Sequence, residues 1–174
     1  MKKEDLQRFC DTEGFRHTLE TPWSTEKFTY ASNGHIIVRV PRIADVPERS
    51  NAPKIEGTCV GESFNYDPEK WYPIPKIETP KFTECSTCKG SGEITQCHEC
   101  GCTLPIKEGI CTDCDGSGNI LKHSSVEVGG SLFSNVYLYD IGRLERAEIA
   151  PRGAMESARF RFEGGDGLLM PRKS

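Results

Sequence analysis

The string Cys85-Ser86-Thr87-Cys88-Lys89-Gly90-Ser91-Gly92 recurs as Cys111-Thr112-Asp113-Cys114-Asp115-Gly116-Ser117-Gly118, and no other feature of the chain limits its folding as strongly. A gap of two residues lets both sulfurs of a pair reach one metal ion from a tight knuckle. The glycines accept backbone turns that a side chain would obstruct. Two knuckles supply four thiolates, which is a closed tetrahedral set. The expectation is therefore a structural zinc ion, with no position left for an activated water.

Between the repeats lies Gln96-Cys97-His98-Glu99-Cys100-Gly101-Cys102, a third Cys-x-x-Cys with an extra cysteine and a histidine. Two arrangements are open for it. In one, a second ion is held by Cys97, Cys100 and Cys102 with His98 or the more distant His123. In the other, Cys97 and Cys100 pair with one of the flanking knuckles. Pairing the first knuckle with the last is preferred, because it folds the segment into an antiparallel loop whose ends lie close together, as an insertion requires. Three clustered pairs read as metal ligands rather than as a disulfide scaffold or a redox centre, since no thioredoxin-like βαβ pattern surrounds them. Of the nine cysteines, Cys10, Cys59 and Cys102 fall outside the pairs, and the expectation for Cys10 and Cys59 is burial as small hydrophobes.

The rest of the 174 residues suffices for one conventional core, and no apolar run approaches the length that spans a bilayer. The N-terminal residues turn acidic at once with no apolar run behind them, so no secretory signal is expected and a cytoplasmic location is the default. Residues 2–13 place Leu6, Phe9 and Cys10 at helical spacing before Gly14. From Lys27 the period becomes two. Phe28 and Tyr30 alternate with Thr29 and Ala31, Asn33-Gly34 suggests a type I′ turn, Ile36, Val38 and Val40 return, and Pro41 ends the hairpin. Seven of the eleven prolines lie in residues 41–80, an extended connector. Its aromatic stretch, residues 65–72 with Trp71 and Tyr72, is read as a strap over the core edge, the alternative being an exposed recognition surface.

Beyond the cysteines, Ser125–Val128 reads as a strand, Ser134 as the cap of a helix through Tyr137, Ile141 and Leu144, and Glu148-Ile149 as another strand. Ala158, Phe160 and Phe162 alternate with charged residues, with a turn expected at Gly164-Gly165-Asp166-Gly167 and a return through Leu168-Leu169-Met170. An internal repeat follows. Phe28-x-Tyr30, Asn33-Gly34 and Val40-Pro41-Arg42 parallel Phe160-x-Phe162, Asp166-Gly167 and Met170-Pro171-Arg172, each with a helix candidate upstream. The fold class expected is α+β, with two helix-plus-antiparallel-strand halves at 1–82 and 123–174 and a zinc-binding hairpin loop inserted at 83–122.

The repeated Cys-x-x-Cys-x-Gly-x-Gly resembles the cysteine-rich zinc domain of DnaJ-type co-chaperones. That domain has four such motifs, the outer two sharing one zinc and the inner two another. Cys85, Cys88, Cys111 and Cys114 match the outer positions, whereas Cys97 and Cys100 lack the following Gly-x-Gly. No His-Pro-Asp tripeptide occurs, so a J-domain activity is not implied. The flanks are similar to another family. Tyr30-Ala31-Ser32-Asn33-Gly34-His35-Ile36-Ile37-Val38 resembles the Ala-Thr-Asp-Gly-His stretch of bacterial sliding-clamp domains, and Gly167-Leu168-Leu169-Met170-Pro171 resembles the clamp's C-terminal Met-Pro segment. That resemblance implies a single clamp-like domain of two pseudo-symmetric halves, with assembly into a homo-oligomer left open.

Three functions are weighed. The first is a non-enzymatic module whose zinc loop, with Trp71 and Tyr72, contacts another protein, in the manner of an accessory or inhibitor of a phage or mobile element acting on replication or defence machinery. Nothing couples His17, His35, His98 or His123 to a nucleophile. The second is a DNA-associated replication accessory using Arg39, Arg42, Arg159, Arg161 and Arg172. The net charge of −4 disfavours DNA as partner. The third is a client-binding co-chaperone. No membrane partner is expected.

Overall fold

A computed structural model describes residues 2–11, 16–94 and 109–173. The chain divides into two compact units, one of residues 1–78 with 124–174 and the other of residues 79–123. The architecture is mostly β, with three short α-helices and one 3-10 turn (His17–Leu19) among the described residues. No helix there is long and apolar enough to cross a membrane.

In the larger unit the period-two runs become strands β2 (Phe28–Ser32) and β3 (Ile36–Pro41), which follow a short β1 (Trp23–Ser24), and the connector adds β4 (Tyr72–Pro73). The smaller unit contributes β5 (Phe82–Glu84) and β6 (Asn119–Leu121). The chain then returns through β7 (Ser125–Val128), β8 (Ser131–Ser134), β9 (Glu148–Ala150), β10 (Ala158–Phe162) and β11 (Gly165–Leu169). Seven strands form one antiparallel sheet in the order β1-β2-β3-β11-β10-β9-β4. Its two hairpins meet along β3 and β11, with Val38 opposite Gly167 and Ile37 opposite Leu168.

Successive side chains of a strand point to opposite faces, and both faces of this sheet are covered. Ala31, Ile36, Val38, Phe160 and Leu169 face one cluster, packed by Leu6 of α1 (Lys3–Gln7), by Phe9 just after it, and by Leu138 and Ile141 of α3 (Asn135–Gly142). Tyr30, Ile37 and Leu168 face the other, with Trp23, Ile55 and Phe64, the last at the end of α2 (Cys59–Phe64). Each fully buried Leu, Ile or Phe stabilises the fold by about 1.5–3 kcal/mol. Double coverage explains why β3 carries apolar residues on both of its faces, Ile36, Val38 and Val40 on one and Ile37 on the other.

The internal repeat survives as an order of elements, since α1-β1-β2-β3 is matched by α3-β9-β10-β11, but not residue by residue. Asn33-Gly34 lies in a turn, whereas Asp166-Gly167 lies inside β11, because the second hairpin turns at Glu163-Gly164 between the paired Phe162 and Gly165. Gly165 and Gly167 serve a different end. A Cβ on Gly167 would stand 2.5 Å from Phe160 Cε1 and 2.5 Å from the Ile37 carbonyl oxygen, so the missing side chain is where the Phe160 ring lies. The first turn is not type I′ either. That type needs positive φ at both central residues, and only Gly34 has it, at 89°. Asn33 instead accepts the His35 and Ile36 amides on its Oδ1, at 3.0 and 3.2 Å.

The N-terminal helix is shorter than its apolar spacing suggests. It ends at Gln7 in a tightened turn in which the Cys10 amide reaches back to the Gln7 carbonyl, which still buries Phe9 and Cys10. Gly14 lies outside the described residues. Within the connector, Thr58 caps α2 by accepting the Gly61 amide, and Tyr72-Pro73 joins the sheet as an edge strand on β9. The strap's aromatics lie under cations: Arg161 over Trp71 at 4.3 Å, Arg152 over Tyr66 at 4.3 Å and Lys70 over Tyr72 at 4.7 Å.

Candidate metal centre and apolar pocket

The two knuckles of the smaller unit interlock. The Cys85 amide donates to the Gly118 carbonyl and the Cys111 amide to the Gly92 carbonyl, both at 2.9 Å. Each repeat thus anchors its first cysteine on the last glycine of the other. Gly92 and Gly118 have φ of 76° and 73°, and a Cβ on either would come 2.9 Å from a backbone carbonyl carbon of the opposite repeat. Only glycine satisfies both the left-handed backbone and this close approach.

The result is a cluster of Cys85, Cys88, Cys111 and Cys114, all buried, whose four Sγ atoms lie within 4.8 Å of one another. Cys85 Sγ is 3.8 Å from Cys111 Sγ, and Cys88 Sγ is 3.6 Å from Cys114 Sγ. Metal–sulfur bonds of about 2.3 Å in a tetrahedron put the sulfurs about 3.8 Å apart, so the set fits one ion. The Gly92 and Gly118 amides donate to Cys88 and Cys114 Sγ, at 3.2 and 3.3 Å. Backbone amides of Cys88 and Thr87 draw the Cys85 thiol down, to about 7. Burial pushes the Cys111 thiol up, and its hydrogen bonds with the Cys114 and Cys85 sulfurs add to the rise. Cys97, Cys100, Cys102 and His98 lie outside the described residues.

Of the cysteines outside the pairs, Cys10 is buried, and burial raises its thiol to about 11. Cys59 corrects its expectation: it is exposed at the first position of α2. It borders a feature that the sequence did not signal, a pocket of about 500 Å³ in the larger unit. The floor is Trp23, Ile37 and Leu168 from the sheet, one wall is Ile55, Cys59 and Val60, and the rim includes Gly34, His35 and Met170. The lining contains no aspartate, glutamate, lysine or arginine. Its titratable members are His35 and Cys59, and no hydrogen bond joins the thiol to the imidazole. The Asn33-Gly34-His35 turn and the segment ending at Met170 converge here because β3 pairs with β11, and the Met170 amide donates to the His35 carbonyl at 2.9 Å.

The arginines considered for a DNA surface are mostly neutralised. Arg39 makes two 2.8 Å bonds to Asp166, which Arg159 also contacts at 3.1 Å, and Arg42 and Arg161 pair with Glu48 and Glu148. Arg39 is further clamped between the rings of Phe28 and Phe64, at 4.6 and 4.1 Å. No protein-family model, curated protein or solved structure matches this chain.

Proposed function

We propose that this protein is a non-enzymatic interaction module: a clamp-like body that receives apolar side chains of a partner protein in its pocket, and an insertion held in shape by a zinc ion. The observation that carries this reading is the pocket. Its volume suits two or three apolar side chains, its lining offers few polar groups to orient a small metabolite, and it carries no paired acid and base. The clamp-like description is supported by two helix–strand–hairpin halves meeting at β3 and β11.

Zinc is the ion best suited to four buried thiolates in a closed set, and it would be held by Cys85, Cys88, Cys111 and Cys114. With every position filled by protein, it supplies rigidity rather than Lewis-acid chemistry. Protein purified without chelator is expected to carry at least one zinc per chain, and a value near zero would defeat this assignment. Trp71 and Tyr72, half-buried beneath their cations, are less suited to contact a partner than the pocket is.

The test is affinity purification from the native host with wild-type protein and with Val60→Glu, which places a charge in the wall of the pocket. Circular dichroism of the variant confirms that it folds. A protein recovered with the wild type and lost with Val60→Glu supports the proposal. Equal recovery by both, or recovery of nucleic acid alone that is released at moderate salt, would overturn it.

A further inference from the structure

The pocket is apolar within, and one cation stands against a residue of its lining. At the β2–β3 turn, the exposed Arg16 lies across Gly34, one of the rim residues. Its Nη1 donates to the Asn33 carbonyl at 2.5 Å, and a Cβ on Gly34 would come 2.6 Å from the guanidinium carbon. At its other end the Arg16 amide is held by Asp11 Oδ2, at 2.6 Å. The cation is therefore fixed from both ends, and among the described residues its guanidinium has no carboxylate partner.

The acids on neighbouring segments bond groups other than the Arg16 guanidinium. Glu20 is bound by His17, Glu56 by Thr25 and Tyr30, and Glu156 by Arg152. Glu62, on α2, falls outside the lining. A partner that fills the pocket with apolar side chains thus passes a positioned guanidinium with donors to spare, because the carbonyl of Asn33 engages only one of its nitrogens.

We propose that Arg16 is a specificity residue of the pocket, selecting peptide segments in which an aspartate or glutamate side chain adjoins the apolar residues that enter it. This rests on the pocket being a peptide site. An exposed charge of this kind adds discrimination and salt dependence more than raw affinity.

Two probes that differ only in charge test it, acetyl-Leu-Phe-Glu-amide and acetyl-Leu-Phe-Gln-amide, titrated at low salt into ¹⁵N-labelled full-length protein. Both are expected to shift the amides of Ile36, Ile37 and Leu168. The glutamate peptide should bind about two- to fivefold more tightly, the range of an exposed ion pair. Arg16→Gln should abolish that preference and leave the affinity of the glutamine peptide unchanged, whereas Arg16→Lys should keep part of it. Equal affinities in the wild type, or a preference that survives Arg16→Gln, would overturn the role of Arg16 and leave the pocket standing. If neither peptide shifts those amides, the pocket reading fails and this inference with it.

Discussion

Asp166 shows how a single side chain can carry several elements. It sits in β11, holds Arg39 of β3 in a two-point contact and engages Arg159 of β10, while Arg159 reaches the carbonyl of Tyr66 in the connector at 2.6 Å. The Arg39 and Asp166 side chains are only 17% and 15% exposed, so Asp166→Asn would leave two guanidinium groups short of a partner in poorly solvated space. A loss of about 2–3 kcal/mol is expected in urea unfolding, with an unchanged denaturant slope. Gly167→Ala should cost about 1–3 kcal/mol through the Phe160 ring and the Ile37 carbonyl. Gly164→Ala, where a Cβ meets open space but φ is 89°, should cost about 1 kcal/mol from backbone strain alone. Burial also holds protons on two core groups. Cys10 is raised from 9.0 to about 11, and Tyr30, which in addition faces Glu56, from 10.0 to about 12. Below pH 9 folded and unfolded chains bind these protons alike. Between about pH 9 and 12 the folded protein keeps protons that the unfolded chain has released, so stability falls as pH rises. The urea midpoint should decline across that window, and Cys10→Ala should flatten the part between pH 9 and 11. An unaltered decline in that variant would exclude Cys10 as its source.

At the scale of elements, the described residues of the smaller unit have little to hold them besides the cluster. Its hydrophobic group consists of the four cysteines with Ile94 and Ile120 against them, and β5 and β6 are three residues each. A segment with so small a core depends on its metal. Treatment with a strong zinc chelator, or Cys88→Ser with Cys114→Ser, should collapse the amide dispersion of residues 82–93 and 110–121. The signals of β2, β3, β10 and β11, which own two separate apolar clusters, should persist. Loss of the large sheet at the same time would mean that the metal organises more than its own unit.

On the scale of the whole molecule, the seven-stranded sheet is closed to extension at both margins. One edge is β1, two residues long and bridged by Glu48 at Ser24. The other is β4, also two residues, with Pro73 removing a donor. Assembly of copies by sheet continuation is therefore disfavoured, and light scattering after gel filtration should report a monomer. The paired state of Arg39, Arg42, Arg159 and Arg161 likewise predicts no measurable shift of a short DNA duplex at low salt. Tight binding that weakens steeply as salt is added would reverse that conclusion.

Sequence by itself determined what is local. The knuckle spacing placed four sulfurs and their glycines, and alternation placed the strands of both hairpins, because each depends on residues a few positions apart. It misplaced what depends on distant neighbours. Gly165-Asp166-Gly167 has the composition of a turn, yet it becomes strand because β3 pairs with it and two phenylalanine rings occupy the space of the missing side chains. Cys59 looked like a core residue until α2 set it at a pocket's edge. The pocket itself left no periodic signal, since its walls come from segments more than a hundred residues apart that only the β3–β11 pairing brings together.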